Sequence, residues 1–134
     1  MIDFQFVETK NIPLNKCIYW LEQVINTEKK RAGDIVFVFC NDEYLLKKNI
    51  RFLKHNTLTD VITFDYTKGK DISGDILISV ERIQENSEIF NVSFLNELNR
   101  VMVHGLLHLL GYNDKTKQEA KLMRSKENFY LSIR

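Results

Sequence analysis

At 134 residues the chain has the length of one domain, enough to bury a real core. Its 44% hydrophobic and 28% charged residues are ordinary for a globular protein, and no uninterrupted apolar run approaches the 18 or so residues of a membrane span. A formal net charge of +1 gives no chain-wide attraction to nucleic acid, so any such contact has to come from a local patch.

Taken in order, Ile2 to Val7 alternates apolar and polar residues and predicts a strand. The only proline, Pro13, precedes a helix predicted over Leu14 to Glu28, with Ile18, Leu21, Val24 and Ile25 on one face. Gly33 breaks the chain ahead of Asp34 to Cys40, a β-rich and almost wholly apolar run that predicts a central strand. Asn41 is a suitable N-cap for a short helix through Tyr44, Leu45, Leu46 and Ile50. Thr59 to Phe64 and Gly74 to Ser79 predict two more strands, joined by a loop or hairpin turn around Lys68-Gly-Lys70. A helix follows from Ser79 or Val80 to Phe90. Ser93 caps a second, with Asn96 and Glu97 as acceptors near its positive end, and Lys115 to Leu131 forms a third, with Ala120, Met123 and Tyr130 inward. The fold class is α+β: a small mixed four-stranded sheet covered by helices, in a single domain spanning residues 1–134.

Chemistry concentrates in Arg100-Val-Met-Val-His104-Gly-Leu-Leu-His108-Leu-Leu-Gly111-Tyr-Asn-Asp114. Positions four apart on a helix differ by roughly 40° in azimuth and about 6 Å in height, so His104 and His108 present two imidazoles to one ion. Gly111 stands where a helix stops in the left-handed conformation, which lets the chain turn back and offer Asp114 as a third ligand. Two His and a carboxylate with one position open is the donor set of a catalytic zinc site. Two helical histidines are ordinarily surface residues or singly bonded core residues. Here Val101, Met102, Val103, Leu106, Leu107, Leu109 and Leu110 surround them, and each unpaired buried polar group would cost about 1–3 kcal/mol. Metzincin proteases share the spacing, with a Glu after the first His as general base. That position is Gly105 here, so the ligand scaffold is present and the protease base is missing.

Lys47, Arg51 and Lys54, at i, i+4 and i+7, form a basic stripe. Such a run is ordinarily a solvated helix face; the functional alternative is a strip that follows a phosphate backbone, with Arg51 and Lys54 as candidate positive groups for catalysis. Phe52 and Phe64 are candidate stacking platforms, with core packing the blander reading, and Asp60 and Asp75 read as turn or strand-end acceptors. Cys17 and Cys40 lack any metal-type or redox-type spacing and fit buried small side chains in a reducing compartment. The opening residues lack the regions of a signal peptide, so the expectation is a cytoplasmic protein without a membrane partner.

These residues carry a resemblance. His104-Gly-Leu-Leu-His-Leu-Leu-Gly-Tyr112, Thr59-Asp-Val-Ile-Thr-Phe64 and Ser73-Gly-Asp-Ile-Leu-Ile78 are similar, in order and spacing, to three motifs of the YbeY family. The resemblance implies a single-strand-specific, zinc-dependent endoribonuclease with one Zn2+ ion, acting in ribosomal RNA maturation and ribosome quality control beside ribosomal subunits or their proteins. Two departures stand out. The family's third ligand is histidine where this chain has Asp114, and a family Tyr-Arg pair falls at Phe52 and Leu53. An aspartate lowers the net charge of the site from that with three imidazoles, which makes the water on the ion less acidic and a harder metal more plausible. Two alternatives stay open: a zinc peptidase-like hydrolase, and a ribosome-associated RNA-binding factor with a structural metal. For RNA cleavage, attack by a metal-activated water is favoured over attack by the ribose 2′-hydroxyl, because His104 and His108 are committed to the metal and leave no histidine pair for acid and base.

Overall fold

A computed structural model describes residues 1–53 and 59–134. The elements run β1 (Ile2–Phe6), α1 (Cys17–Thr27), β2 (Arg31–Cys40), α2 (Asp42–Lys48), a π-helical turn (Asn49–Leu53), β3 (Val61–Asp65), β4 (Asp71–Ser79), α3 (Val80–Ile89), α4 (Phe94–Leu109) and α5 (Lys117–Ser132). The sheet order is β1-β2-β4-β3; β1, β2 and β4 are mutually parallel, and β3 joins the edge antiparallel to β4. The α+β class and the mixed four-stranded sheet expected from the residue pattern are both found.

Several boundaries differ from the sequence expectation. Leu14 is buried in a turn rather than in α1: Cys17 N–H donates to its carbonyl at 2.9 Å before the helix begins. Gly33 does not break the chain; it lies inside β2, where pairing with β4 shifts between Ala32 and Ile35. A bulge absorbs the irregularity and the strand continues. The β3–β4 hairpin is closed by reciprocal backbone bonds between Lys68 and Asp71, so β4 starts three residues ahead of Gly74. Asn41 caps α2 as expected, accepting from Tyr44 N–H at 2.8 Å, but the α-helix stops at Lys48 and widens into the π-helical turn. Thr116 and Glu119 form a reciprocal capping box that starts α5 at Lys117 instead of Lys115. Ala120 on that helix is exposed rather than inward.

Strand alternation divides the core between two faces. Ile35, Phe37, Phe39, Ile72, Ile76 and Ile78 pack with Leu21, Val24, Ile25, Leu106 and Leu107 on the large face. Val38, Cys40, Ile62 and Leu77 point the other way, where among the described residues only Leu45 of α2 joins them in a smaller buried cluster. One face is therefore sealed by long helices and the other only in part. Burial pushes the Cys40 thiol up to about 12, and both cysteines are free and buried, as their isolation in the chain implied.

Helix α4 lies close against the sheet because of what position 105 lacks. A Cβ on Gly105 would sit 2.6 Å from Cγ2 of Ile76, inside contact distance. The position occupied by the general base in metzincins thus faces β4 here and has no room for any side chain.

Candidate metal centre

Ser93 caps α4, its hydroxyl accepting from Asn96 N–H at 3.0 Å, and ten of the helix's residues are buried. At its far end Gly111 adopts φ +102°, the left-handed region anticipated for it. Gly111 N–H donates to the His108 carbonyl and Tyr112 N–H to the Leu107 carbonyl, each at 3.0 Å, the paired bonds of a Schellman stop. The reversed chain carries Asp114 back alongside the helix. His104 Nε2 and His108 Nε2 are then 3.1 Å apart, and Asp114 Oδ2 lies 3.3 Å from the first and 3.4 Å from the second.

The partners of the other ring nitrogens decide what this triangle means. His108 Nδ1 faces the Tyr112 carbonyl at 2.9 Å, and His104 Nδ1 faces the Glu127 carboxylate at 2.7 Å. Both partners are pure acceptors, so in the neutral rings both Nδ1 atoms carry the proton and both Nε2 atoms present bare lone pairs. Asp114 adds a third acceptor. Three acceptors at such separations repel one another unless a cation sits among them. Donors at 2.0–2.1 Å on a tetrahedral zinc ion are about 3.3 Å from each other, which matches the triangle.

Much of the supporting shell comes from outside residues 100–114, chiefly Glu127 and Arg124 of α5. Glu127 on α5 is buried; burial raises its pKa, but hydrogen bonds from His104 and Arg100 and nearby positive charge outweigh this and hold it below the usual carboxylate range. Arg100 Nη1 lies 3.0 Å and Arg124 Nη1 3.8 Å from its Oε1. For His104, burial favours the neutral ring, yet the Glu127 bond and charge, with Asp114 and Asp60, raise its pKa overall. Acid therefore places a proton where a cation would otherwise bind.

Glu28, at the end of α1, holds the returning segment. It accepts from Tyr112 Oη at 2.5 Å, from Tyr130 Oη, and from Lys126 Nζ at 3.1 Å. The Tyr112 hydroxyl is thereby anchored while its backbone carbonyl orients His108.

Two clefts flank the triangle. One, about 410 Å³, runs past His104 and Asp114 between Glu97, Arg100, Arg124 and Glu127. The other, about 380 Å³, is lined by all three donors together with Asn49, Leu53 and residues 59–63. Asp60 lines both. Burial raises its pKa, partly offset by the His104 charge and by hydrogen bonds from its own and the Val61 N–H and from Thr59. Glu97 stands in the first turn of α4, as expected, and is buried in the cleft wall, where burial together with the Asp60 charge raises its pKa.

The sequence-derived candidates are distributed unequally. His104, His108 and Asp114 are brought together, their donor atoms all within 4.8 Å of one another. Arg51 lines neither cleft: it is exposed on the π-helical turn, its guanidinium 5.1 Å from the centre of the Phe52 ring. Lys54 lies outside the described residues. Among the described residues, the arginines that line a cleft beside the triangle are Arg100 and Arg124, with Glu127 as orienting carboxylate, and none of the three was singled out for this role. The signal for Glu127 was weak: a single acid thirteen residues beyond the motif on an amphipathic helix.

The profile of the family described as "Endoribonuclease YbeY" matches residues 3–133. A Flavobacterium johnsoniae protein named endoribonuclease YbeY is 57% identical over 114 residues, covering 85% of this chain and 82% of its own. A Flavobacterium psychrophilum protein of the same name is 48% identical over 132 residues, covering 98% and 91%. A solution structure from Thermotoga maritima superposes with a TM-score of 0.70 at 29% identity, over 97% of this chain and 86% of the other.

Proposed function

Because the chain belongs to the YbeY endoribonuclease family, we propose that it cuts single-stranded ribosomal RNA using one zinc ion held by His104, His108 and Asp114. It is a hydrolase acting on RNA, and its 134 residues work as one catalytic domain. Ribosomal RNA maturation and ribosome quality control in the cytoplasm, beside ribosomal proteins, is the setting this reading assigns to it. No helix among the described residues is long and apolar enough to cross a membrane.

One observation supports the metal most strongly: three acceptor atoms stand 3.1–3.4 Å apart, with the second nitrogen of each imidazole already spent on a carbonyl or a carboxylate. When bound, the ion acidifies a coordinated water and offsets charge on the phosphoryl oxygens. The protein's own groups do the rest. Glu127 and the Tyr112 carbonyl hold the imidazoles in the ligating tautomer. Arg124, whose side chain is 61% exposed at the cleft wall, reaches a phosphate oxygen, while Arg100 keeps Glu127 ionised. Arg51, exposed on the π-helical turn, meets a phosphate of the strand farther from the bond that breaks. Peptide hydrolysis is disfavoured because Gly105 faces Ile76 and supplies no base.

The test is cleavage of a single-stranded ribosomal RNA fragment by protein stripped of metal and then titrated with zinc. Activity should vanish on stripping and return with about one equivalent of zinc, leaving fragment ends without 2′,3′-cyclic phosphate. An Asp114→Ala control excludes a contaminating nuclease. Cyclic-phosphate ends made only by the intact protein would overturn the water route, and full activity without metal would overturn the zinc assignment.

A further inference from the structure

The less covered face of the sheet carries a second groove, about 450 Å³, that the metal centre does not use. Its walls include Tyr44 and Lys48 of α2, Phe52 of the π-helical turn, Phe64 of β3, and Tyr66, with Asp75 in its lining. Phe52 and Tyr66 expose 52% and 58% of their surface, although core packing was the blander expectation for Phe52. Phe52 meets Phe64 edge to face, ring centres 5.8 Å apart at 84°. Lys48 Nζ stands 5.2 Å from the Tyr44 ring centre and 5.4 Å from that of Phe52, and Arg51 flanks Phe52 as well. Other exposed aromatics, such as Tyr19, Phe90 and Phe129, are not part of this groove.

We propose that this groove seats unpaired nucleobases of the RNA strand flanking the cleavage site, stacked on Phe52 and Tyr66, with Lys48 and Arg51 meeting the adjoining phosphates. The inference rests on the endoribonuclease reading and adds to it where the substrate is gripped.

Three features favour a single-stranded polynucleotide over other occupants. Aromatic faces stack on any base and, next to cations, form the usual combination for gripping a single strand. Charge orients the strand: the cations stand by α2 and the π-helical turn, whereas the Asp75 carboxylate, 3.4 Å from Tyr66 Oη, repels phosphate and accepts from amino groups on base edges. Gln5 adds an exposed amide to the same lining. The third feature is continuity. Asn49 and Leu53 line a cleft of the metal centre, while Lys48 and Phe52, each the preceding residue, line the groove. The π-helical turn is thus the rim between them, and a strand leaving the metal centre over that rim enters the groove.

The experiment compares binding of a single-stranded RNA dodecanucleotide with that of a trinucleotide, which is too short to span the metal centre and the groove together. Phe52→Ala and Tyr66→Ala should each weaken dodecanucleotide binding by about tenfold and leave the trinucleotide unaffected. Phe52→Trp should restore affinity, and the salt slope should not change, because stacking neutralises no phosphate. Dodecanucleotide affinity unchanged from the unsubstituted protein in both alanine variants overturns the proposal and leaves the groove to a protein partner. Equal losses on both RNAs overturn it too, since the effect would then come through the metal centre. If the unsubstituted protein binds neither RNA, the endoribonuclease reading itself fails.

Discussion

The metal triangle and the aromatic groove lie on either side of one π-helical turn, and they are built on opposite principles. In the triangle each imidazole has both nitrogens assigned, and the chain carrying Asp114 is tied down by a helix stop and by Glu28. In the groove two of the rings stand half in solvent. Coordination chemistry tolerates only small displacements of a donor, so it recruits buried support from distant elements. Gripping a flexible strand requires accessible surface, and the sheet provides it where α2 is too short to cover the strands.

That contrast is sharpest at the ligands. Asp114→Ala and His104→Ala should weaken zinc binding by more than the roughly 10–100-fold lost with a supporting partner, and abolish RNA cleavage. Asp114→His should keep the metal, because imidazole is an equally acceptable donor. Calorimetric zinc titration reads both; an alanine variant at position 114 that binds zinc normally would remove Asp114 from the site.

One step outward, Glu127→Gln keeps the shape of the side chain but withdraws the charge that orients His104 and pairs with Arg100. Zinc affinity should fall by roughly 10–100-fold while the circular dichroism spectrum stays native. Unchanged zinc affinity would reduce Glu127 to a packing role.

The smallest effect is expected at Glu28, which touches no donor. Burial raises its pKa, but hydrogen bonds from Tyr112, Tyr130 and Lys126, with the Lys126 charge, outweigh this and lower it from 4.5. A lowered folded-state pKa means that its stabilisation is fully present above the unfolded value and is lost as pH falls through the folded one. In metal-free protein, Glu28→Gln should cost about 1–3 kcal/mol at neutral pH, and the gap from the unsubstituted protein should narrow as pH drops below 4.5. Melting temperatures across that range decide it. A gap that stays constant would show that the contact is not ionic.

Much of this was legible in the residue pattern. Spacing alone placed His104 and His108 on one helix face, Gly111 at its end and Asp114 within reach, since each step is local geometry. Alternation and caps gave the element order, and they erred mainly at ends, where Gly33 became a bulge and Leu14 stayed outside its helix. The basic stripe was harder. The spacing of Lys47 and Arg51 assumed continuous α-helix, but Lys47 pairs with Glu43 at 3.1 Å and the π-helical turn carries Arg51 to the Phe52 ring.

The sequence by itself determined the candidate donor set and the class of the fold, because local helical spacing and short-range periodicity control both. Only the tertiary structure decided which acid orients His104, which arginines stand at the cleft, and which aromatics stay outside the core. Glu127 meets His104 across 23 residues, Arg124 shares a cleft with His104 and Asp114, and the exposure of Phe52 is set by how far a short helix covers a sheet; no local pattern encodes those placements.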